Sequence, residues 1–169
     1  MSPEPRPRRV VLVGFMGSGK TTVGALVARL LGWRFHDMDM LLEARTGLSV
    51  PEAFRTRGEA WFREQETALA RELAAETDVV IAAGGGAFAV PETRAALQDG
   101  AATVWLDCGL DTLLGRIPLD GTRPLARDRE TIQKLFAQRD PLYRLADRHV
   151  DASQGPPESV ARAVVAALR

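Results

Sequence analysis

Residues 14–21 read Gly-Phe-Met-Gly-Ser-Gly-Lys-Thr and fit the pattern G-x-x-x-x-G-K-[ST]. This octapeptide constrains the fold because it works in one setting, between a buried strand and the first turn of a helix. Both neighbours are present. Arg9-Val10-Val11-Leu12-Val13 is a short β-branched run that suits a buried parallel strand. Thr22 to Leu31 is apolar nearly all round and is closed by Gly32 at a C′ position. Between them, glycines let backbone N–H groups curl around a phosphate without a Cβ in the way, and the helix N-terminus adds its positive end. Lys20 can reach the β- and γ-phosphates of a nucleotide, and the Thr21 hydroxyl can ligate Mg2+. The bland alternative is an ordinary glycine-rich turn; the strand before and the helix after weigh against it. No base-reading Asn-Lys-x-Asp segment occurs in the chain, which favours a small-molecule kinase over a GTPase.

The remaining sequence continues the strand–helix alternation. Strands are predicted at Trp33–Asp37, Asp78–Ala83, Thr103–Asp107 and His149–Asp151. Helices are predicted at Met38–Arg45, from the capping box at Ser49–Glu52 to Thr56, and at Glu59–Glu76, Pro91–Leu97 and Leu110–Arg116. Two further helices, Thr131–Gln138 and Pro141–Ala146, and a terminal one through Leu168 complete the chain. This is an α/β pattern with a parallel sheet covered on both faces. Ligands of such sheets bind beyond the carboxyl ends of the strands. At 169 residues the chain suits one domain.

Charge and cysteine content exclude several classes. Lys+Arg and Asp+Glu are both 22, so the net charge is zero and a nonspecific nucleic-acid binder is disfavoured. The single cysteine, Cys108, rules out an intrachain disulfide framework and sits in an apolar run as a core residue. No apolar run reaches the roughly 20 residues of a membrane span. The proline-rich residues 1–8 read as a disordered tail, not a secretory signal, before a domain at 9–169. A cytoplasmic monomer is the expectation. Of the basic residues only Lys20 and Lys134 are lysines, so a lysine at a motif position is more telling than an arginine.

Beyond the phosphate loop, a second set of residues points to an acceptor. Phe35-His36-Asp37-Met38-Asp39, Glu43, Thr46-Gly47, Ser49, Phe54, Gly58-Glu59, Phe62-Arg63, Gly84-Gly85-Gly86, Arg123-Pro124-Leu125 and Arg139-x-Pro141-Leu142-Tyr143 follow one another in this order. Together they resemble the pattern of the shikimate kinase family, and the resemblance runs from Val10 to the final helix. It implies transfer of the ATP γ-phosphoryl group to the 3-hydroxyl of shikimate, in aromatic amino-acid biosynthesis. It implies a three-layer α/β/α sandwich of the P-loop kinase type. The sheet is five-stranded and parallel in the order 2-3-1-4-5, with acceptor-binding helices at about 38–76 and a mobile lid at about 118–129.

The resemblance also assigns roles. Gly17, Ser18, Gly19, Lys20, Thr21 and Thr22 bind ATP, with Arg116 packing on the adenine face, Pro157 in an adenine-side loop and Arg123 approaching from the lid. Thr21 and Asp37 belong to the Mg2+ side. Asp39 meets the acceptor hydroxyls, Arg63 and Arg139 clamp the shikimate carboxylate, Gly85 and Gly86 offer backbone contacts, and Phe54 and Phe62 wall the ring. Catalysis falls to Lys20, Asp39 and Arg123.

Most of these residues have a bland reading beside the functional one. Asp37 suits a helix N-cap and Asp39 a first-turn dipole partner. Arg63 has Glu59 and Glu66 at helical pairing distance. Phe54 and Phe62 fit a core equally well. The triple glycine could be a flexible turn, and Pro118 to Arg129, polar and without core residues, merely a mobile loop. Two other functions stay open: another small-molecule kinase of gluconate or nucleoside-monophosphate type, and a nucleotide-binding regulatory relative without turnover.

Overall fold

The computed structural model describes residues 6–120 and 122–169. Five parallel strands form one sheet in the order β2-β3-β1-β4-β5. Strand β1 (Arg9–Val13) lies at its centre and is buried along its whole length. It pairs on one side with β3 (Val79–Ala82), Val10 opposite Val80, and on the other with β4 (Ala102–Asp107), Val10 opposite Ala102. Strands β2 (Arg34–Asp37) and β5 (Arg148–Asp151) form the edges. Apart from Arg9, Thr103 and Asp107, the three central strands are apolar because helices cover both faces of the sheet, whereas the edges are mostly polar or charged.

Helices α1 (Lys20–Leu31) and α8 (Pro157–Ala167) pack on one another beside the sheet, and α4 (Glu59–Leu73) packs on α5 (Pro91–Gln98) in the other helical layer. Close approach of α1 to the sheet depends on Gly24. A Cβ there would lie 2.5 Å from the Phe35 ring and 3.4 Å from Leu12. Helices α2 (Met38–Thr46) and α3 (Val50–Arg57) follow β2 and stand over the carboxyl end of the sheet. Ser49 and Glu52 form a reciprocal capping box at the start of α3.

Three expectations are corrected. Residues 131–146 are not two helices: α7 (Arg129–Tyr143) is continuous and carries Pro141 in its last turn. There the missing N–H removes a single intrahelical bond close to the C-terminus. Helix α4 stops at Leu73 rather than Glu76. The segment 118–129 is not devoid of core residues, because Ala126 is fully buried and Leu125 packs on the core. Asp128 caps α7 by accepting from the Thr131 N–H at 2.7 Å. Helix α6 (Leu110–Arg116) matches its predicted bounds. A 3-10 turn, Ala87–Ala89, follows the triple glycine. Of the expected tail, residues 1–5 lie outside the described residues, while Arg8 pairs with Asp78. No described helix is long and apolar enough to cross a membrane.

Candidate active site

Two cavities open at the carboxyl end of the sheet and share a wall of Met16, Asp39, Glu43, Gly85 and Arg123. The first, about 470 Å³, is lined by the phosphate loop and the start of α1: Gly17, Gly19, Lys20, Thr21 and Thr22, with Asp37 and Arg116. The second, about 320 Å³, lies among α3, α4 and α7 and is lined by Phe54, Phe62, Arg63, Glu66, Gly86 and Arg139.

The loop geometry follows from its glycines. Gly17 and Gly19 adopt φ of 81° and 94°, a left-handed backbone that costs glycine nothing, and Gly19 serves as the N-cap of α1. Lys20 Nζ donates to the carbonyls of Gly14 at 2.6 Å and Phe15 at 3.0 Å, so the ammonium is held within the loop. Burial lowers its pKa to about 8; the negative charges of Asp39 and Asp37 oppose that shift, while Arg123 and Arg139 add to it. Ser18 is buried, lines neither cavity, and its N–H is used by the Phe15 carbonyl at 3.1 Å.

Asp37 makes two contacts. Its Oδ1 accepts from the Met40 N–H at 3.0 Å as the N-cap of α2, and its Oδ2 accepts from the Thr21 hydroxyl at 2.5 Å. One hydroxyl and one carboxylate thus face the phosphate end together. Among the described residues no three His, Cys, Asp or Glu side chains converge on a metal. That sparse donor set fits Mg2+, which usually keeps several waters and takes phosphate oxygens beside one or two carboxylates. Asp39, two residues on, projects to the shared wall. Burial and the neighbouring Asp37 raise its pKa, while Lys20, Arg123 and Arg63 pull it down.

In the second cavity, Arg63 lies over the triple glycine. A Cβ on Gly86 would sit 2.6 Å from Arg63 Cζ, so the guanidinium can rest there only against a bare backbone. Phe54 and Phe62 pack at 5.0 Å, with Arg63 over both rings at 5.8 and 5.5 Å. Both pairings expected of Arg63 on helical spacing occur, with Glu66 at 2.9 Å and Glu59 at 3.5 Å, and the same residue lines the cavity. Arg139 is buried, and burial lowers its pKa. Tyr143, one turn on, donates from its hydroxyl to the Gly85 carbonyl at 2.5 Å and fixes the end of β3. Burial pushes the Tyr143 phenol up to about 12, so it remains a donor.

With two exceptions the expected site residues come together at the two cavities. Ser18 is one. Pro157, exposed in the first turn of α8, also lines neither cavity. Arg116 does reach the nucleotide-side cavity and donates to the Gly17 carbonyl at 3.3 Å. Glu66 was not expected in the acceptor cavity. Its spacing from Arg63 signalled an ordinary surface pair; its complete burial does not show in the sequence.

The family model described as shikimate kinase matches residues 16–169. The chain belongs to the shikimate kinase family. A shikimate kinase of Moorella thermoacetica is 44% identical over 165 residues, spanning 96% of this chain and 95% of that protein. The structure of a shikimate kinase from Acinetobacter baumannii in complex with shikimate superposes with a TM-score of 0.90 at 36% identity, covering 94% of this chain and 90% of that one. The shikimate kinase of Aquifex aeolicus gives 0.86 at 37% identity, covering 95% of each chain. Family membership agrees with the sheet order and with the pairing of a phosphate loop and a two-arginine cavity across one wall.

Proposed function

We propose that this chain transfers the γ-phosphoryl group of ATP to the 3-hydroxyl of shikimate, giving shikimate 3-phosphate and ADP. The observation that carries this reading is the shared wall. A phosphate-binding loop opens on one side of Asp39, and a cavity with two arginines and two phenylalanines opens on the other.

Each group has a task that its position suits. The loop amides and Lys20 hold the β- and γ-phosphates, so Lys20 exchanges its carbonyl partners for phosphate oxygens. Thr21 and Asp37 would hold Mg2+, Asp37 through water. The ion supplies charge neutralisation on the phosphate oxygens. Arg63 and Arg139 offer planar forks to the carboxylate at the far end of the acceptor ring, and Phe54 and Phe62 wall the ring. Asp39 then accepts a hydrogen bond from the reacting hydroxyl and receives its proton as the oxygen attacks phosphorus. Burial makes Asp39 more basic than a solvated aspartate and so better suited to that proton. Arg123, exposed and lining both cavities, meets the charge that develops on the transferring group. An acceptor with hydroxyls but no carboxylate would offer these two forks no anion to meet.

The test is release of ADP from ATP and Mg2+ with and without shikimate, alongside a panel of other hydroxylated acceptors. Shikimate-dependent release is expected. Asp39→Asn should lower turnover by about 10²- to 10⁴-fold while ATP binding persists. If ATP affinity collapses instead and shikimate binding is untouched, Asp39 serves the metal side.

A further inference from the structure

The peptide between Gly85 and Gly86 lies where the two cavities meet: Gly85 lines both, and Gly86 lines the acceptor side. Neither residue has a Cβ, so local sterics leave the direction of this peptide plane open. Turning it over carries the φ of Gly86 from −97° to positive values, which glycine takes without cost. The direction decides which charge the peptide presents. One edge of a trans peptide is a carbonyl oxygen and the opposite edge an N–H, and no cis peptide occurs among the described residues. With the N–H toward the acceptor cavity the peptide favours an anion; turned over, it places a partial negative charge there.

One side chain sets that direction. Tyr143, in the last turn of α7, donates its hydroxyl to the Gly85 carbonyl at 2.5 Å. Its ring is buried and backed by Trp105, with 6.3 Å between centroids, so the hydroxyl is held in place. Tyr143 lines neither cavity, and the carbonyl it holds is drawn away from both. The Gly86 N–H is then the edge left for the acceptor cavity. Gly86 is buried, and among the described residues no backbone carbonyl takes up its N–H. A buried amide without a partner is rare in a folded chain and marks a place for a ligand acceptor. The Arg63 guanidinium lies against the same glycine, and Arg139 Nη1 is 3.5 Å from a Cβ placed on Gly85, so the amide and both arginines converge. We infer that Tyr143 is a positioning residue for acceptor binding: by holding the Gly85 carbonyl it aims the Gly86 N–H at the acceptor carboxylate, as a third donor beside Arg63 and Arg139. This rests on the proposed function, in which that carboxylate lies between the two arginines. The backbone contact expected of Gly86 thereby depends on a hydroxyl outside the cavity.

Tyr143→Phe removes the hydroxyl and keeps the ring. With ADP saturating the phosphate loop, shikimate affinity measured by calorimetry should fall on the order of tenfold, the loss of one hydrogen bond to a charged group, while ADP affinity holds within about twofold. In steady state the shikimate KM should rise and kcat stay nearly unchanged, because a carboxylate contact is the same in ground and transition state. A tyrosine that only braces the fold would weaken both ligands, since Gly85 lines both cavities; equal losses overturn the inference. Crystal structures of the two ADP complexes without acceptor read the peptide itself. In Tyr143→Phe the peptide between Gly85 and Gly86 should be turned over or found in two orientations, and one unchanged orientation also overturns it. If the wild-type protein binds no shikimate, the proposed function fails, while the ADP complexes still decide the role of Tyr143. A last measurement needs no folded Tyr143→Phe. In protein carrying isotope-labelled glycine, with the Gly86 amide assigned by its absence from Gly86→Ala, shikimate should move that amide proton downfield. A Gly86 amide that does not respond to bound shikimate sinks the idea.

Discussion

Lys20 carries a positive charge in a place that disfavours it. Its pKa of about 8, lowered mainly by burial, means that the unliganded protein begins to lose this proton just above neutrality. Bound phosphates favour the charged form and raise the pKa again. The sign of the linkage follows. Below about pH 8 the lysine is charged in both states and nucleotide affinity is flat with respect to this group; above it, binding must take up a proton, and affinity falls as pH rises. Calorimetry of ADP binding at pH 8.5, a value of roughly this order being set by the shifted group, in two buffers of different ionisation heat should register net proton uptake. Lys20→Met should abolish that uptake and lower turnover on the order of 10²- to 10³-fold, the loss of one preorganised electrostatic contact. Uptake that survives in Lys20→Met would assign the proton to another group.

At the scale of elements, two glycines separate what holds the fold from what holds the acceptor. Gly24 lies within α1, where a Cβ would meet the Phe35 ring of β2. The ring, packed against the core, would have to shift to admit it, with Leu12 also close at 3.4 Å. Gly24→Ala should therefore cost about 1–3 kcal/mol in denaturant unfolding, with acceptor KM little changed in the folded fraction. Gly86 has an ordinary φ of −97°, so alanine is free of backbone strain there. Its Cβ would displace only the end of the flexible Arg63 side chain. Gly86→Ala should thus raise the acceptor KM, at a stability cost confined to the disturbed Arg63–Glu66 pair. If Gly86→Ala unfolds the protein, or Gly24→Ala acts on KM instead, the division is wrong. The same contrast shows where sequence reading works at this scale. β1, the phosphate loop and the capping box before α3 were legible because local chemistry dictates them. The continuity of α7 through Pro141 was not, because packing of the helix outweighs one lost bond near its end.

For the molecule as a whole, the sheet order was legible through the family resemblance that the motifs carry, and the place where phosphate loop and acceptor cavity meet through the rule that ligands of parallel sheets gather at the strands' carboxyl ends. Glu66 was not legible as a site residue, because burial of one helix face depends on the elements packed over it. Pro157 matched a motif position that the fold sets apart from both cavities. The arginines give the last test, because the fold places them in different mechanical settings. Arg63 and Arg139 stand on helices α4 and α7 and are largely buried, so in the proposed reaction they would meet the acceptor carboxylate in ground and transition state alike. Interactions equal in both states affect binding and not the chemical step. Lysine at either position keeps the charge but loses the planar fork, and should chiefly raise the shikimate KM. Arg123 is exposed, on a segment between α6 and α7 that touches the core through Ala126, and lines both cavities at their shared mouth. In the proposed reaction its contact would strengthen as charge develops on the transferring phosphoryl group, so Arg123→Ala should chiefly lower kcat. Steady-state kinetics on the three variants separate these roles, and an Arg123→Ala enzyme with unchanged kcat and a raised shikimate KM would place Arg123 with the carboxylate clamp.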